Sequence, residues 1–76
     1  EYAVFNVSQL ECFDSGASVS PDDLKTAGII KSVKNGVRCL GNGTLTKKLT
    51  VSAHHFSAAA RKKIEAAGGT CEVLSK

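Results

Sequence analysis

Lys48-Leu49-Thr50-Val51-Ser52-Ala53-His54-His55-Phe56-Ser57-Ala58-Ala59-Ala60-Arg61-Lys62-Lys63-Ile64-Glu65-Ala66-Ala67-Gly68-Gly69-Thr70-Cys71-Glu72-Val73-Leu74 decides how this chain folds. Its first residues alternate. Leu49, Val51 and Ala53 fall on one side and Lys48, Thr50, Ser52 and His54 on the other, which predicts a strand with one buried face and one polar, basic face. Ser57 then offers an N-cap, and Ala58–Ala67 carries Ala60, Ile64 and Ala67 at helical spacing. Arg61 and Lys62 point away from that stripe, and the stem of Lys63 lies alongside it. Gly68-Gly69 stops the helix, and Thr70–Leu74 reads as a strand. Strand, helix and strand in this order predict a right-handed parallel crossover. The fold class is therefore α/β, with a short, mostly parallel sheet and packed helices.

Upstream, Tyr2–Val7 reads as a strand with apolar residues on both faces, as in a covered sheet. Ser8 is placed to cap a short helical turn through Leu10, Cys12 and Phe13. Asp14–Ser18 is a loop. Ser20-Pro21-Asp22-Asp23-Leu24 starts a helix, with Ser20 as N-cap, Pro21 at the first helical position and two acids in the first turn. That helix ends near Ala27-Gly28, after which Ile29 and Ile30 return to the core. Lys34-Asn35-Gly36 is a turn, Val37–Leu40 a strand, and Gly41-Asn42-Gly43 closes it. The 76 residues make one domain. A domain this small buries only ~60% of the surface its unfolded chain exposes, so a bound partner adds usefully to its stability. The chain has no Met and opens on Glu1 inside a strand, the pattern of a segment of a longer protein. It has no apolar run long enough to cross a membrane as a helix.

The net charge of +3 is modest, but its distribution is uneven. Residues 1–24 hold the acids Glu1, Glu11, Asp14, Asp22 and Asp23 and no Lys or Arg. Residues 25–64 hold Lys25, Lys31, Lys34, Arg38, Lys47, Lys48, Arg61, Lys62 and Lys63 and no acid. A merely solvated lysine-rich face would carry compensating Glu at helical spacing. Its absence favours a polyanionic partner, because a carboxylate beside a phosphate contact weakens it.

Few side chains suggest catalysis. Gly41-Asn42-Gly43 lacks the third Gly and the following helix of a dinucleotide site, and lacks the Gly-Lys-Ser/Thr of a P-loop. It reads as a tight turn that can also let an RNA backbone approach. Adjacent His54 and His55 make a poor metal pair. They suit a connector that donates to phosphate, or one with a packed and an exposed ring. Cys12, Cys39 and Cys71 are odd in number and widely spaced, so they read as small buried hydrophobes in a reducing compartment rather than a disulfide or zinc set. The aromatic residues are Tyr2, Phe5, Phe13 and Phe56, and the three Phe read as core. That leaves no stacking platform and points to recognition of folded RNA by shape and backbone. An RNA-binding domain leads on these grounds, ahead of a domain docking on an acidic protein partner and of a small enzyme.

The second half resembles the bacterial ribosomal protein L-fifteen family of the large subunit. The resemblance rests on Gly36-Val37-Arg38-Cys39-Leu40-Gly41-Asn42-Gly43, Leu45, Lys48-Leu49-Thr50-Val51, Ala53, Phe56-Ser57, Ala60, Ile64 and Gly68-Gly69. The first half agrees more loosely, through Asn6-Val7, Val19-Ser20-Pro21 and Gly28-Ile29-Ile30-Lys31. The resemblance implies a small single α/β domain of irregular β-β-α turns, the C-terminal globular part of a longer protein. A Gly/Lys/Arg-rich arm that threads into ribosomal RNA would precede it and is absent from this chain. It implies a structural and assembly role beside large-subunit ribosomal RNA and neighbouring ribosomal proteins, with no catalysis, cofactor, metal or small-molecule substrate. The compartment would be the cytoplasm, or a plastid ribosome. Carried onto this sequence, the RNA-facing candidates are Asn42 in the turn and Lys47 and Lys48 at the strand entry. Arg38, His54 and His55 join them by surface geometry, and Lys31, Lys34, Arg61 and Lys62 by charge.

Overall fold

The computed structural model describes residues 1–75. Six short strands and two helices follow one another: β1 (Ala3–Asn6), a 3₁₀ turn (Val7–Cys12), β2 (Ser18–Val19), α1 (Pro21–Thr26), β3 (Val37–Leu40), β4 (Thr50–Ala53), β5 (His55–Phe56), α2 (Ala58–Ala66) and β6 (Thr70–Val73). The mixed, parallel α/β class is as expected, but the strands form two sheets rather than one. Odd strands pair in the order β1-β3-β5 and even strands in the order β2-β4-β6, and every pairing is parallel. The chain changes sheet at His54. Ala53 still accepts from Leu74 N–H at 2.8 Å on the β6 side, whereas His54 N–H already donates to Val37 O at 3.0 Å on the β3 side.

The inner faces of both sheets share one core with α2. In the odd sheet Ala3 pairs with Val37, and Phe5 with Cys39. In the even sheet Val19 pairs with Val51. These six are buried together with Val7, Leu10, Leu24, Leu49, Ala60 and Ile64, and no polar or charged residue joins them among the described residues. Leu49, Val51 and Ala53 are all buried, as their alternation requires. The expectation that β1 is covered on both faces is not met. Val4 is 48% exposed, because its row on the outer face, Val4–Arg38–His55, has solvent rather than a second layer above it.

Helix α1 starts as expected. Ser20 N–H donates to Asp23 Oδ2 at 2.8 Å, and Asp23 N–H donates to Ser20 Oγ at 3.3 Å, a reciprocal capping pair. The 3₁₀ turn begins one residue before the predicted Ser8 cap. Gln9 Oε1 takes the Asn6 N–H at 2.8 Å, so Asn6 is the entry residue.

Two of the three cysteines face the interior and Cys12 is exposed. Burial pushes the Cys39 thiol up to about 12, with neighbouring Cys71 adding to the shift. In native protein at pH 8, a thiol reagent is expected to modify Cys12 within minutes and to reach Cys39 only on unfolding. Equal labelling of both in the native state, read by mass spectrometry of peptides, would contradict this burial.

Candidate nucleic-acid interface

The outer face of the odd sheet gathers four of the ten candidate residues. Arg38 sits between Val4 and His55 in one cross-strand row, and its guanidinium lies 4.9 Å from the centre of the Tyr2 ring. Tyr2 forms an antiparallel bridge with Lys34. Tyr2, Val4, Ile29, Lys31, Ser32 and Lys34 help line a groove of about 290 Å³ beside this row. Lys31, Arg38 and His55 are exposed, and Lys34 pairs with the Glu1 carboxylate at 3.7 Å.

The turn at Gly41-Asn42-Gly43 is sewn to the protein itself. Lys63 Nζ donates to the carbonyls of Gly41 and Gly43, both at 2.6 Å. Asn42 N–H donates to Asn6 Oδ1 at 3.3 Å, and Asn42 O accepts from Ser8 N–H at 3.3 Å. A side chain at residue 41 would meet the backbone of Ala59 and Ala60 at 2.8 Å, so Gly lets the start of α2 close on the end of β3. Asn42 offers an exposed side chain, but its main-chain N–H and carbonyl are already spent. Lys63 is more than the solvated stem that helical spacing suggests. No pattern in the sequence marks it, because its partners are main-chain carbonyls about twenty residues away.

Lys47 and Lys48 lie at a third place. Lys47 Nζ donates to Phe13 O at 3.2 Å and is half-buried. The Lys48 side chain is exposed, while its N–H donates to Ser15 Oγ at 3.1 Å. His54 falls just past the end of β4 rather than on its polar face, and its ring turns to β3. Its Nδ1 accepts from Val37 N–H at 3.0 Å, which pins the switch between sheets and puts the proton of the neutral ring on Nε2. The outer face of β4 is hydroxyl-bearing and acidic rather than basic. Its cross-strand rows are Ser18–Thr50–Thr70 and Ser52–Glu72, and Ser52 Oγ bonds the Glu72 carboxylate at 3.3 Å. Arg61 lies 5.6 Å from the Phe56 ring centre and pairs with Glu65 at 3.8 Å. Lys62 is exposed, with no partner among the described residues.

The basic stretch is thus acid-free along the chain but not in space. Glu1 comes to Lys34, Glu65 to Arg61, and Glu11 to Thr46 beside Lys47. Folding brings Glu1 and Glu11 of the acidic first segment beside the basic second one, which no window count can register. Glu65 meets Arg61 at i,i+4 just past the window, so the expected absence of compensating Glu at helical spacing does not hold there. Lys31, Arg38, Lys48 and Lys62 keep clear of carboxylates among the described residues. No group of three or more His, Cys, Asp or Glu that could hold a metal ion occurs among the described residues, and no helix there is long and apolar enough to cross a membrane.

Glu11 bonds both the N–H and the Oγ of Thr46. The Thr46 backbone bond holds its carboxyl below the ordinary 4.5, helped by the Thr46 hydroxyl and by the charge of Lys47. A bond that lowers the folded-state value contributes fully above the unfolded value and is lost as pH falls through the folded one. Thermal stability is therefore expected to hold from pH 8 to about pH 5 and to decline below about pH 4.5. The acid-side decline should be shallower in Glu11→Gln. An identical decline in the variant, by calorimetry from pH 6 to pH 3, would rule out this contribution.

The fold and its exterior define a class: a small, basic α/β domain with its bases in several patches around a shared core. The family model for "Ribosomal proteins 50S-L15, 50S-L18e, 60S-L27A" matches residues 4–72, and the chain belongs to this family. Among its relatives, "Large ribosomal subunit protein uL15" of Geobacter sulfurreducens is 53% identical over 75 residues, covering 99% of this chain and 51% of that protein. The chain spans about half the length of this curated relative.

Proposed function

We propose that this chain is part of a structural protein of the large ribosomal subunit that binds large-subunit ribosomal RNA and supports subunit assembly, without catalysis or a cofactor. Family membership over residues 4–72 carries the reading. The exposed bases Lys31, Arg38, Lys48 and Lys62, free of carboxylate partners among the described residues, support phosphate contact as its mechanism. Lys34, Lys47 and Arg61 contribute less, because each already has an internal partner. His55 and Asn42 add exposed polar groups, whereas His54 acts mainly by fixing the backbone. Neighbouring large-subunit proteins are the remaining partners, on cytoplasmic ribosomes or in a plastid.

The test is sedimentation of the natural-length protein from a lysate at low salt. It is expected to travel with large subunits and to leave them after ribonuclease treatment and mild salt. Stable retention on an acidic protein after complete RNA digestion would overturn the reading in favour of a protein-docking domain.

A further inference from the structure

Phosphate contact does not explain why the outer face of the odd sheet is half apolar. Val4 is 48% exposed on the edge strand β1, beside the cations Arg38, Lys31 and Lys34. It shares a row with Arg38 and His55, and parallel strands ~4.8 Å apart make that row about 10 Å wide. The Arg38 guanidinium carbon lies over the Tyr2 ring, 4.9 Å from its centre. A guanidinium held on an aromatic ring has its other planar face and its N–H fork left for a second flat group. The groove alongside has apolar walls from Val4, Ile29 and Ile30, with Lys31 and Lys34 in its lining. Lys34 has a φ of 56°, a left-handed conformation that Gly or Asn adopts more readily. That strain sits at an exposed residue of the groove, where such outliers often accompany binding.

We propose that this face receives an unpaired RNA base. The base lies against Val4 and the open side of the Arg38 guanidinium, near His55, and the flanking phosphates meet Lys31 and Lys34. Lys34 would exchange its exposed partner Glu1 for a phosphate, and such surface pairs are weak enough to yield. Charge complementarity selects nucleic acid over an apolar peptide, and an exposed apolar side chain among cations selects a base over a smooth duplex backbone. The inference rests on the ribosomal RNA reading and adds a platform that the composition, with its three core Phe, does not suggest.

The test is a titration of the natural-length protein with two labelled RNAs of equal length and at equal salt, one single-stranded and one fully duplex. Binding to the single strand is expected to weaken about 10-fold in Val4→Ser and in Arg38→Lys. Duplex binding should stay within about twofold in Val4→Ser, because the apolar Val4 side chain is exposed and makes no phosphate contact. Circular dichroism should give both variants the melting profile of the parent protein. If Val4→Ser weakens both RNAs equally, or if either variant leaves single-strand binding unchanged, the base platform is overturned while salt-dependent RNA binding stands. If neither RNA binds the parent protein, the ribosomal RNA reading falls as well.

Discussion

Gly69→Ala is expected to lower the melting temperature of the domain steeply. A Cβ at residue 69 would sit inside contact distance of the Leu49 carbonyl oxygen, with Leu49 N and Ile64 O each at 3.1 Å. All three are main-chain atoms, and the two oxygens are already committed to structure. Leu49 O accepts from Thr70 N–H at 2.9 Å, the bond that starts the β4–β6 pairing, and Ile64 O accepts from Gly69 N–H at 2.9 Å, the bond that closes α2. Relief therefore means parting the helix end from the sheet. Such overpacking costs about 3 kcal/mol or more. Total stability for a domain this size is on the order of 4–11 kcal/mol. For so small a domain each 1 kcal/mol moves Tm by about 4–8 °C, so a fall of roughly 12–24 °C is expected. Gly28→Ala is the control. Its Cβ meets nothing within 4 Å, and only its φ of 79° opposes the change, a cost of about 1–2 kcal/mol. Equal melting of the two variants would contradict the close approach at Gly69.

Reversing Lys31, Arg38 and Lys48 together to Glu is expected to weaken ribosomal RNA binding by at least about 100-fold at low salt. These three are exposed and clear of carboxylates among the described residues, so phosphate can meet them without displacing an internal partner. Each lost phosphate contact should also flatten the salt dependence, by roughly 0.7–0.9 in the slope of log affinity against log salt. The paired bases set the contrast. Lys34→Ala and Arg61→Ala remove a charge that Glu1 or Glu65 already offsets, and their effect should be severalfold smaller than that of Lys31→Ala or Lys48→Ala. If all four single changes weaken binding equally, the ranking by internal pairing is wrong.

Much of the fold is legible because its information is local. Alternation from Leu49 to Ala53, the Ala60–Ile64 stripe and the Ser20-Pro21 start each need only a few neighbouring residues, and each appears where expected. The division into two sheets is not local. β1 pairs with β3 across more than thirty residues, and β5 has two residues, too few to show a period. His55-Phe56 therefore reads as a connector although it completes the odd sheet. The candidate interface follows the same division. Exposed bases are identifiable by type, but their worth depends on which carboxylate or carbonyl folds against them. The Lys34–Glu1 pair, the Lys47 bond to Phe13 and the Lys63 bonds to Gly41 and Gly43 all join residues twenty or more apart.

Phosphate contact as the source of affinity is tested most directly by one titration. The natural-length protein is bound to large-subunit ribosomal RNA over a range of monovalent salt, and log affinity is plotted against log salt. Four exposed bases clear of carboxylates predict a straight line with a slope of about −3 or steeper, a loss of roughly 50-fold between 50 and 200 mM. A slope near zero would contradict it.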